Sequence, residues 1–276
     1  MSRISCLCTV FVAVLATRQG LAQHQEGHAE SEQHPLQECL QFVDKQREYI
    51  RRTIADYECV LVKRERIEGE LQEMQYMRAS VRRERREGGQ VVQPFSVYME
   101  HLAPKRLAGR RMLYVEGAND GKILVRKGGS SFRFVTLNVS PDSPAARRES
   151  LLPITDVGFE KMAESFYQKI QQDMGVDASG ENTRVDYFKQ ARINGRPTTR
   201  VKVTHPRPQD GLNFHIANVY IDDEYQVPVR VDTYDWPQSG EGQPLLINEF
   251  TYVDLKINIG LSNEDFAESR IRSTEP

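Results

Sequence analysis

The chain has 276 residues, a length that suits one large domain or two small ones. Apolar residues make up 39% and charged residues 28%, a balance that allows a packed core and excludes global disorder. The formal net charge of −2 argues against non-specific nucleic-acid binding, so no nucleic-acid partner is expected.

The first 22 residues have the pattern of a cleaved secretory signal peptide. Arg3 supplies positive charge, residues 4–16 are apolar, and Gly20 and Ala22 are small residues at a signal peptidase site. The apolar run is shorter than the roughly 20 residues that cross a bilayer, so a retained membrane anchor is the less favoured alternative. We therefore expect an exported protein, periplasmic or secreted, with no transmembrane segment after signal cleavage.

Residues 23–34 are polar and rich in Gln, Glu and His, which predicts a solvated linker. Loose binding of a divalent metal by His24, His28 and His34 is the alternative. No later segment has the composition of an interdomain linker, and no repeat recurs. We expect a single domain over residues 35–268 and a disordered tail over residues 269–276.

Two amphipathic helices are predicted. Pro35 suits a first helical turn, and one apolar stripe follows over residues 36–54. The second helix runs from Asp156, a plausible N-cap, to Met174. Its stripe consists of Phe159, Met162, Ala163, Phe166 and Ile170. A helix with one apolar face is expected to bury that face against a sheet.

About eleven strands are predicted from alternating or β-branched segments separated by turn residues. Asn119-Asp120-Gly121 and Asn194-Gly195 mark two of the hairpins. Tight turns of this kind imply an antiparallel sheet. The strands are expected at residues 58–68, 70–83, 95–99, 111–116, 122–127, 132–138, 185–193, 198–205, 213–222, 227–236 and 245–257.

Residues 213–222 are apolar on both faces of the predicted strand, with Phe214, Ile216 and Tyr220 on one side. Ala217, Val219 and Ile221 lie on the other side. A sheet with one solvated face needs apolar side chains on its other face only. The inner face must therefore cover either the helices or a ligand. The predicted ligand-cavity residues are Phe159, Met162, Phe166, Phe214, Ile216 and Tyr220.

No motif for a nucleophile, a P-loop or a dinucleotide site occurs, so neither an enzyme activity nor a cofactor is predicted. His205 and His215 could approach across a hairpin and form a metal site with Asp222, Asp223 or Asp210. Against a metal site, His205 alternates with Val201 and Val203 as a residue of one sheet face does. Asp222 also belongs to an acidic turn in which Asp commonly caps its own backbone.

Cys39 and Cys59 remain after signal cleavage, in a compartment that permits disulfides. An unbroken helix over residues 36–54 places Cys39 about 22 Å from the helix end, at 1.5 Å per residue. If the chain reverses after the helix, the next strand runs back only about 7 Å before it reaches Cys59. The remaining gap exceeds the roughly 7 Å Cα limit, so no bridge is expected.

Several segments together resemble the bacterial family called domain of unknown function 1571. They are 56–66 (DYECVLVKRER), 94–99 (PFSVYM), 109–111, 114–117, 119–122, 153–155, 205–206, 222–224, 227–228, 234–237 and 252–260. A remoter resemblance is to LolA-like proteins, which include the periplasmic lipoprotein carrier and RseB-type sensors. It is carried by the acidic turn 222–224, Val227-Pro228 and the last strand running into residues 258–266.

The LolA-like resemblance implies a mainly β (α+β) fold, a half-open antiparallel β-barrel whose concave face is covered by helices. It also implies a cavity for a lipid or lipoprotein acyl chain, or another apolar ligand. We therefore expect a non-enzymatic envelope protein that binds such a ligand. The alternative is an envelope interaction or scaffold module, with another envelope protein as its partner and a barrel filled by its own helices.

Overall fold

Alternating strands and tight turns produce a large antiparallel sheet in the computed structural model, which describes residues 33–128, 135–238 and 242–272. The predicted signal peptide and nearly all of the predicted linker lie outside these ranges. The strands of the described residues are β1 (Asp56–Ile67), β2 (Glu70–Leu71), β3 (Gln75–Arg82), β4 (Arg85–Glu87), β5 (Gln90–Gln93), β6 (Ser96–Ala103), β7 (Arg111–Val115), β8 (Ile123–Arg126), β9 (Thr136–Val139), β10 (Arg184–Ile193), β11 (Arg196–Thr204), β12 (Ile216–Asp222), β13 (Pro228–Asp235) and β14 (Leu245–Ile257).

Twelve of these strands form one sheet in the order β10-β11-β12-β13-β14-β1-β3-β6-β7-β8-β9, with β2 paired to β1 alone. Every pairing of the described strands is antiparallel, and β4 and β5 form a separate hairpin. Strands β9 and β10 are the two edges, so the described sheet is not closed. The predicted mainly β fold with an open antiparallel sheet is confirmed.

Helices α1 (Gln37–Thr53) and α3 (Phe159–Val176) pack on one face of the sheet, which we call the inner face. Their apolar stripes meet residues of β1, β3, β6 and β13 in the main core. The two helices also contact each other, because Arg47 of α1 forms a 2.6 Å ion pair with Glu164 of α3. A short helix α2 (Pro144–Arg147) lies between β9 and α3, capped by the hydroxyl of Ser143.

The start of α3 differs from the prediction. Asp156, the expected N-cap, lies in a 3₁₀ turn, and the helix begins at Phe159 after Gly158. Gly158 has a φ of +130°, a backbone conformation that L side chains rarely adopt. This turn sets the direction in which Phe159 enters the core. The pattern of apolar side chains in the sequence does not reveal such a turn.

The C-terminal segment covers the opposite, outer face of the sheet. Helix α4 (Glu268–Arg272) places Ile271, which is 0% exposed, against Tyr98, Leu113 and Leu124 of β6, β7 and β8. The predicted disordered tail is therefore wrong for residues 269–272, while residues 273–276 lie outside the described ranges. The reason is that the outer side chains of β6–β8 are apolar and require cover, which Ile271 supplies together with Phe266 from the residues just before α4.

Backbone contacts fix this C-terminal segment in place. The carboxylate of Asp56, at the start of β1, accepts hydrogen bonds from the backbone N–H groups of Ile259, Gly260 and Leu261 at 2.8 to 3.3 Å. Arg126 donates to the carbonyl of Ile271. The segment is thus held against the sheet.

Cys39 and Cys59 are both free thiols and belong to different core clusters. Burial raises the pKa of the Cys39 thiol to about 11 and raises that of Cys59 further. No helix within the described ranges is both long enough and apolar enough to cross a membrane.

The burial of Ile271 predicts a measurable cost for shortening its side chain. Ile271→Ala should lower the free energy of unfolding by about 3 kcal/mol, because the substitution leaves a cavity under α4. Ile259→Ala is the matched control, since Ile259 lies in the same segment but is 44% exposed, and its change should stay within about 0.5 kcal/mol. Urea unfolding measures both, and equal small effects would show that α4 does not stabilise the sheet.

Candidate functional site

A cavity of about 260 Å³, which we call the helical cavity, lies between α1, α3 and strands β11–β13. Its volume exceeds the roughly 150 Å³ of an apolar cavity that binds benzene. Its apolar lining consists of Leu36, Cys39, Phe42, Val43, Ile50, Ala163, Phe166, Ile170, Val201, Val203, Phe214, Ala217, Val219, Ile221, Pro228 and Val231.

Lys169 and Asp173 are the charged residues in the lining of the helical cavity. Lys169 Nζ lies 3.0 Å from Asp173 Oδ1, and His205 Nε2 lies 3.5 Å from Asp173 Oδ2. Asp173 and His205 are almost fully buried. Among the described residues, none of the atoms Lys169 Nζ, Asp173 Oδ1 and His205 Nε2 has an aligned hydrogen bond. The cavity therefore joins an apolar wall to a compact group of charged side chains.

Only part of the predicted cavity set lines the helical cavity. Phe166 and Phe214 do. Ile216 and Tyr220 do not, since Ala217, Val219 and Ile221 face the cavity and alternation turns their neighbours to the outer face. The prediction assumed that Phe214 lies on the same strand as Ile216 and Tyr220 and therefore on the same face. Strand β12 begins only at Ile216, so Phe214 lies outside its alternation.

Phe159 and Met162, the other two predicted cavity residues, belong to the main core. The Phe159 ring stacks on Tyr57 at a centroid distance of 4.3 Å and contacts Tyr252 at 5.1 Å. This aromatic cluster sits on β1 and β14, the middle strands of the sheet. It fills the centre of the inner face and leaves space on either side.

A second cavity of about 240 Å³, which we call the loop cavity, lies between strands β1, β3 and β6–β9 and the segment 141–157. It shares no lining residue with the helical cavity. The sequence analysis did not identify it, because its wall draws on many strands and its cover is an irregular segment. The apolar part of its wall includes Leu61, Met77, Met99, Met112, Ile123, Val125, Leu137, Val139, Leu152, Ile154, Val157 and Phe250.

A buried carboxylate holds the cover of the loop cavity. Glu65 Oε1 accepts from the backbone N–H groups of Leu151 and Leu152 at 3.0 and 3.3 Å. Its Oε2 accepts from the Ser150 hydroxyl at 3.1 Å and from Lys63 Nζ at 2.6 Å. Lys63 Nζ also donates to Ser150 Oγ at 2.8 Å. One side chain of β1 thus fastens the covering segment to the sheet.

His101 also lines the loop cavity and is 4% exposed. Burial, with smaller contributions from the positive charges of Arg110 and Lys63, lowers the pKa of His101 to about 3, although a backbone contact with Arg110 opposes the shift. Its Nε2 lies 3.3 Å from Gln75 Oε1. His101 is therefore neutral at physiological pH.

The structure does not assemble the predicted metal set. His215 Nδ1 lies 2.8 Å from the carbonyl oxygen of His205, while the His205 ring faces Asp173. Asp222 lies at the far end of β12, where it pairs with Arg196 and accepts the backbone N–H groups of Glu224 and Tyr225. Within the described residues no group of three or more His, Cys, Asp or Glu side chains could hold a metal ion.

Asp222 instead caps its own turn. Burial pushes its pKa upward, but the hydrogen bonds from Arg196 and the two backbone N–H groups outweigh burial and lower the pKa below its usual value. The acidic turn is therefore a structural device that joins β12 to β13.

The described residues thus form an open antiparallel sheet with apolar cavities under its helices and under the segment 141–157. The sequence matches the family described as "Protein of unknown function (DUF1571)" over residues 54–271, and the chain belongs to that family. The resemblance predicted from the sequence is thus confirmed. Comparison with curated proteins gives no significant match.

Solved structures similar to this chain share little of its sequence. A putative outer membrane lipoprotein-sorting protein domain from Vibrio parahaemolyticus is 14% identical with a TM-score of 0.40, over 85% of this chain and 98% of that one. A LolA superfamily protein from Nitrosomonas europaea is 8% identical with a TM-score of 0.37, over 84% and 98%. MucB, in its complex with MucA of Pseudomonas aeruginosa, is 12% identical with a TM-score of 0.45, over 85% and 62%.

The Glu65 contacts predict a large loss of stability in a Glu65→Gln variant. The change should lower the free energy of unfolding by about 3 kcal/mol, because it leaves Lys63 buried beside a neutral amide. Amide hydrogen exchange at Leu151 and Leu152 should also accelerate. Glu73→Gln is the control, since Glu73 pairs with Arg106 on the surface and should change stability by less than about 1 kcal/mol. Unchanged exchange in the Glu65 variant would show that the cover is held by other contacts.

The lowered pKa of His101 predicts a pH-dependent stability. An unfolded histidine binds a proton below about pH 6.5, whereas folded His101 does so only near pH 3. The unfolded state therefore binds a proton first as the pH falls. For His101 this lowers the free energy of unfolding by up to about 3 kcal/mol between pH 7 and pH 4. Urea unfolding across this range should give a shallower pH dependence for His101→Gln than for the wild type. Parallel curves would contradict the assignment.

Proposed function

We propose that this protein is an exported, non-enzymatic binding protein that holds a lipid acyl chain or another apolar ligand in the helical cavity. The observation that supports this best is the cavity of about 260 Å³ walled by aliphatic and aromatic side chains. An empty apolar cavity loses the dispersion contacts of its wall, and an apolar ligand restores them. The ligand also removes its own apolar surface from water.

The arrangement of the cavity walls supports a ligand that is long and thin. One wall is the sheet face formed by Val201, Val219 and Val231 on three adjacent strands. The other wall is the seam between α1 and α3, represented by Val43 and Ile170. Residues along both helices contribute, so the space extends along their axes and suits an alkyl chain.

A second candidate function is an envelope interaction module in which the helices serve only as core. The aromatic cluster of Tyr57, Phe159 and Tyr252 favours it, because α3 then contributes a large ring to the centre of the inner face. The cavity volume, below the roughly 300 Å³ at which typical small-molecule pockets begin, also favours it. The two functions differ in whether an alkyl ligand enters.

Filling the helical cavity separates these functions. Ala217→Phe places a ring in the cavity from β12, and it should weaken binding of decanol at least tenfold in calorimetric titration. Ile216→Phe is the matched control on the same strand, since Ile216 does not line the cavity and lies on the outer face. Binding should therefore stay unchanged in that variant. Equal affinities of wild type and Ala217→Phe, or no alkyl ligand bound by the wild type, would support the interaction module.

A further inference from the structure

A buried carboxylate lies in the largely apolar wall of the helical cavity. Asp173 lines this cavity and is 2% exposed. It belongs to the last turn of α3, the end of a helix at which the backbone dipole disfavours negative charge. Removing a carboxylate from water carries a further cost. Asp173 therefore destabilises α3 unless the groups around it compensate its charge.

The charged partners of Asp173 leave room for a further hydrogen bond. Asp173 Oδ1 lies 3.0 Å from Lys169 Nζ, which balances its charge, and Asp173 Oδ2 lies 3.5 Å from His205 Nε2. The second distance is longer than an ordinary hydrogen bond. An ionised carboxylate accepts up to about four hydrogen bonds, and an ammonium group has several N–H donors. Both charged groups of the cavity wall can therefore bond to a ligand while they remain paired.

The hydrogen bonds of His205 show that this group of side chains lacks a donor. The Thr183 hydroxyl donates to Asp177 Oδ2 at 2.6 Å, so it does not donate to His205 Nδ1, which lies 3.2 Å away. His205 Nδ1 also lies 3.2 Å from the carbonyl oxygen of Asn182, to which it must then donate. In the neutral ring Nε2 is thus an acceptor, and it faces the carboxylate of Asp173, another acceptor. A ligand that supplies a donor would satisfy Asp173.

We infer that the helical cavity selects a single-chain ligand with a neutral hydroxyl head, which Asp173 and Lys169 bind together. This inference rests on the proposed function, because the alkyl chain of the ligand occupies the apolar wall. A hydroxyl group can donate to the Asp173 carboxylate and accept from the Lys169 ammonium at the same time. An anionic head would be repelled by Asp173, and a cationic head would be repelled by Lys169.

The apolar wall continues along α3 from this polar group. Ile170, Phe166 and Ala163 line the cavity at successive positions before Asp173. The helix rises about 15 Å between Asp173 and Ala163, at roughly 1.5 Å per residue. An alkyl chain whose hydroxyl end meets Asp173 can therefore lie along one side of α3, against aliphatic and aromatic side chains.

Calorimetric titration with decanol, its isomer methyl nonyl ether and decanoate tests the head group. The ether keeps an acceptor oxygen but cannot donate. A purely apolar cavity would prefer the ether, because burying a hydroxyl group without a hydrogen bond costs free energy. The wild type should instead bind decanol at least tenfold more tightly than the ether or decanoate.

The outcomes of this titration separate the inference from the proposed function. Ether binding as tight as that of decanol, and weakened by Ala217→Phe, would overturn the inference and leave the proposed function standing. Decanoate binding as tight as that of decanol would also overturn the inference. Failure of all three ligands to bind the wild type would contradict both.

The role of charge is tested with Asp173→Asn, which keeps the size of the side chain. The substitution leaves the Lys169 ammonium without its carboxylate, so decanoate should bind at least tenfold more tightly than it binds to the wild type. Glu164→Gln is the matched control on the same helix, since Glu164 pairs with Arg47 and does not line the helical cavity. It should leave all three affinities unchanged.

A purely structural role of Asp173 predicts no gain in decanoate affinity, so unchanged or weaker decanoate binding in a folded Asp173→Asn variant would overturn the inference. Should this variant fail to fold, the comparison of decanol with methyl nonyl ether in the wild type still decides the question, because it needs no substitution.

Discussion

The pairing of β1 with β14 is the interaction on which the rest of the structure depends. It joins the first strand to the last, and so connects the half of the sheet built from β10–β14 to the half built from β3 and β6–β9. The alternate residues of β1 that face inward then contribute to the main core and to the loop cavity. Tyr57 enters the aromatic cluster, Leu61 and Lys63 line the loop cavity, and Glu65 holds its cover.

The same constraint explains why the interior is divided. Tyr57 and Tyr252 lie on β1 and β14 and meet the ring of Phe159 at the middle of the sheet. A ring from α3 can reach this point because Gly158 turns the chain sharply before the helix. The helical cavity and the loop cavity lie on either side of this aromatic cluster. The first is covered by two helices and the second by an irregular segment, and these covers give the two cavities different polar groups.

The sequence predicted the sheet well because its signals are local. Alternation and turn residues identify strands and hairpins, and apolar stripes identify α1 and α3 to within a few residues. The inward or outward direction of a strand is not local when both its faces are half-buried, so Ile216 and Tyr220 were assigned to the wrong side. The sequence also does not show which segment covers a given face of the sheet. Ile271 stabilises the outer face from a segment whose composition indicates disorder.

The loop cavity was also beyond the reach of sequence, for a related reason. Lys63 and Glu65 occur in a charged run, Lys63-Arg64-Glu65-Arg66, that is typical of a solvated strand. In the sheet the two residues occupy inward positions, and they are 6% and 2% exposed. Their burial is tolerated because each compensates the other and because Glu65 also satisfies backbone N–H groups of the cover.

The two covers differ in how they could open to a ligand. The helical cavity is roofed by long helices whose apolar stripes are also part of the core, so separating α1 and α3 exposes core surface to water. The segment over the loop cavity is held by the contacts of Glu65 and also by Leu152, Ile154 and Val157, which pack in the main core. Local opening is easiest where few apolar contacts are lost. The segment 141–157 packs in one core cluster, whereas α1 and α3 pack in two, so we expect the segment to open more readily than the helices.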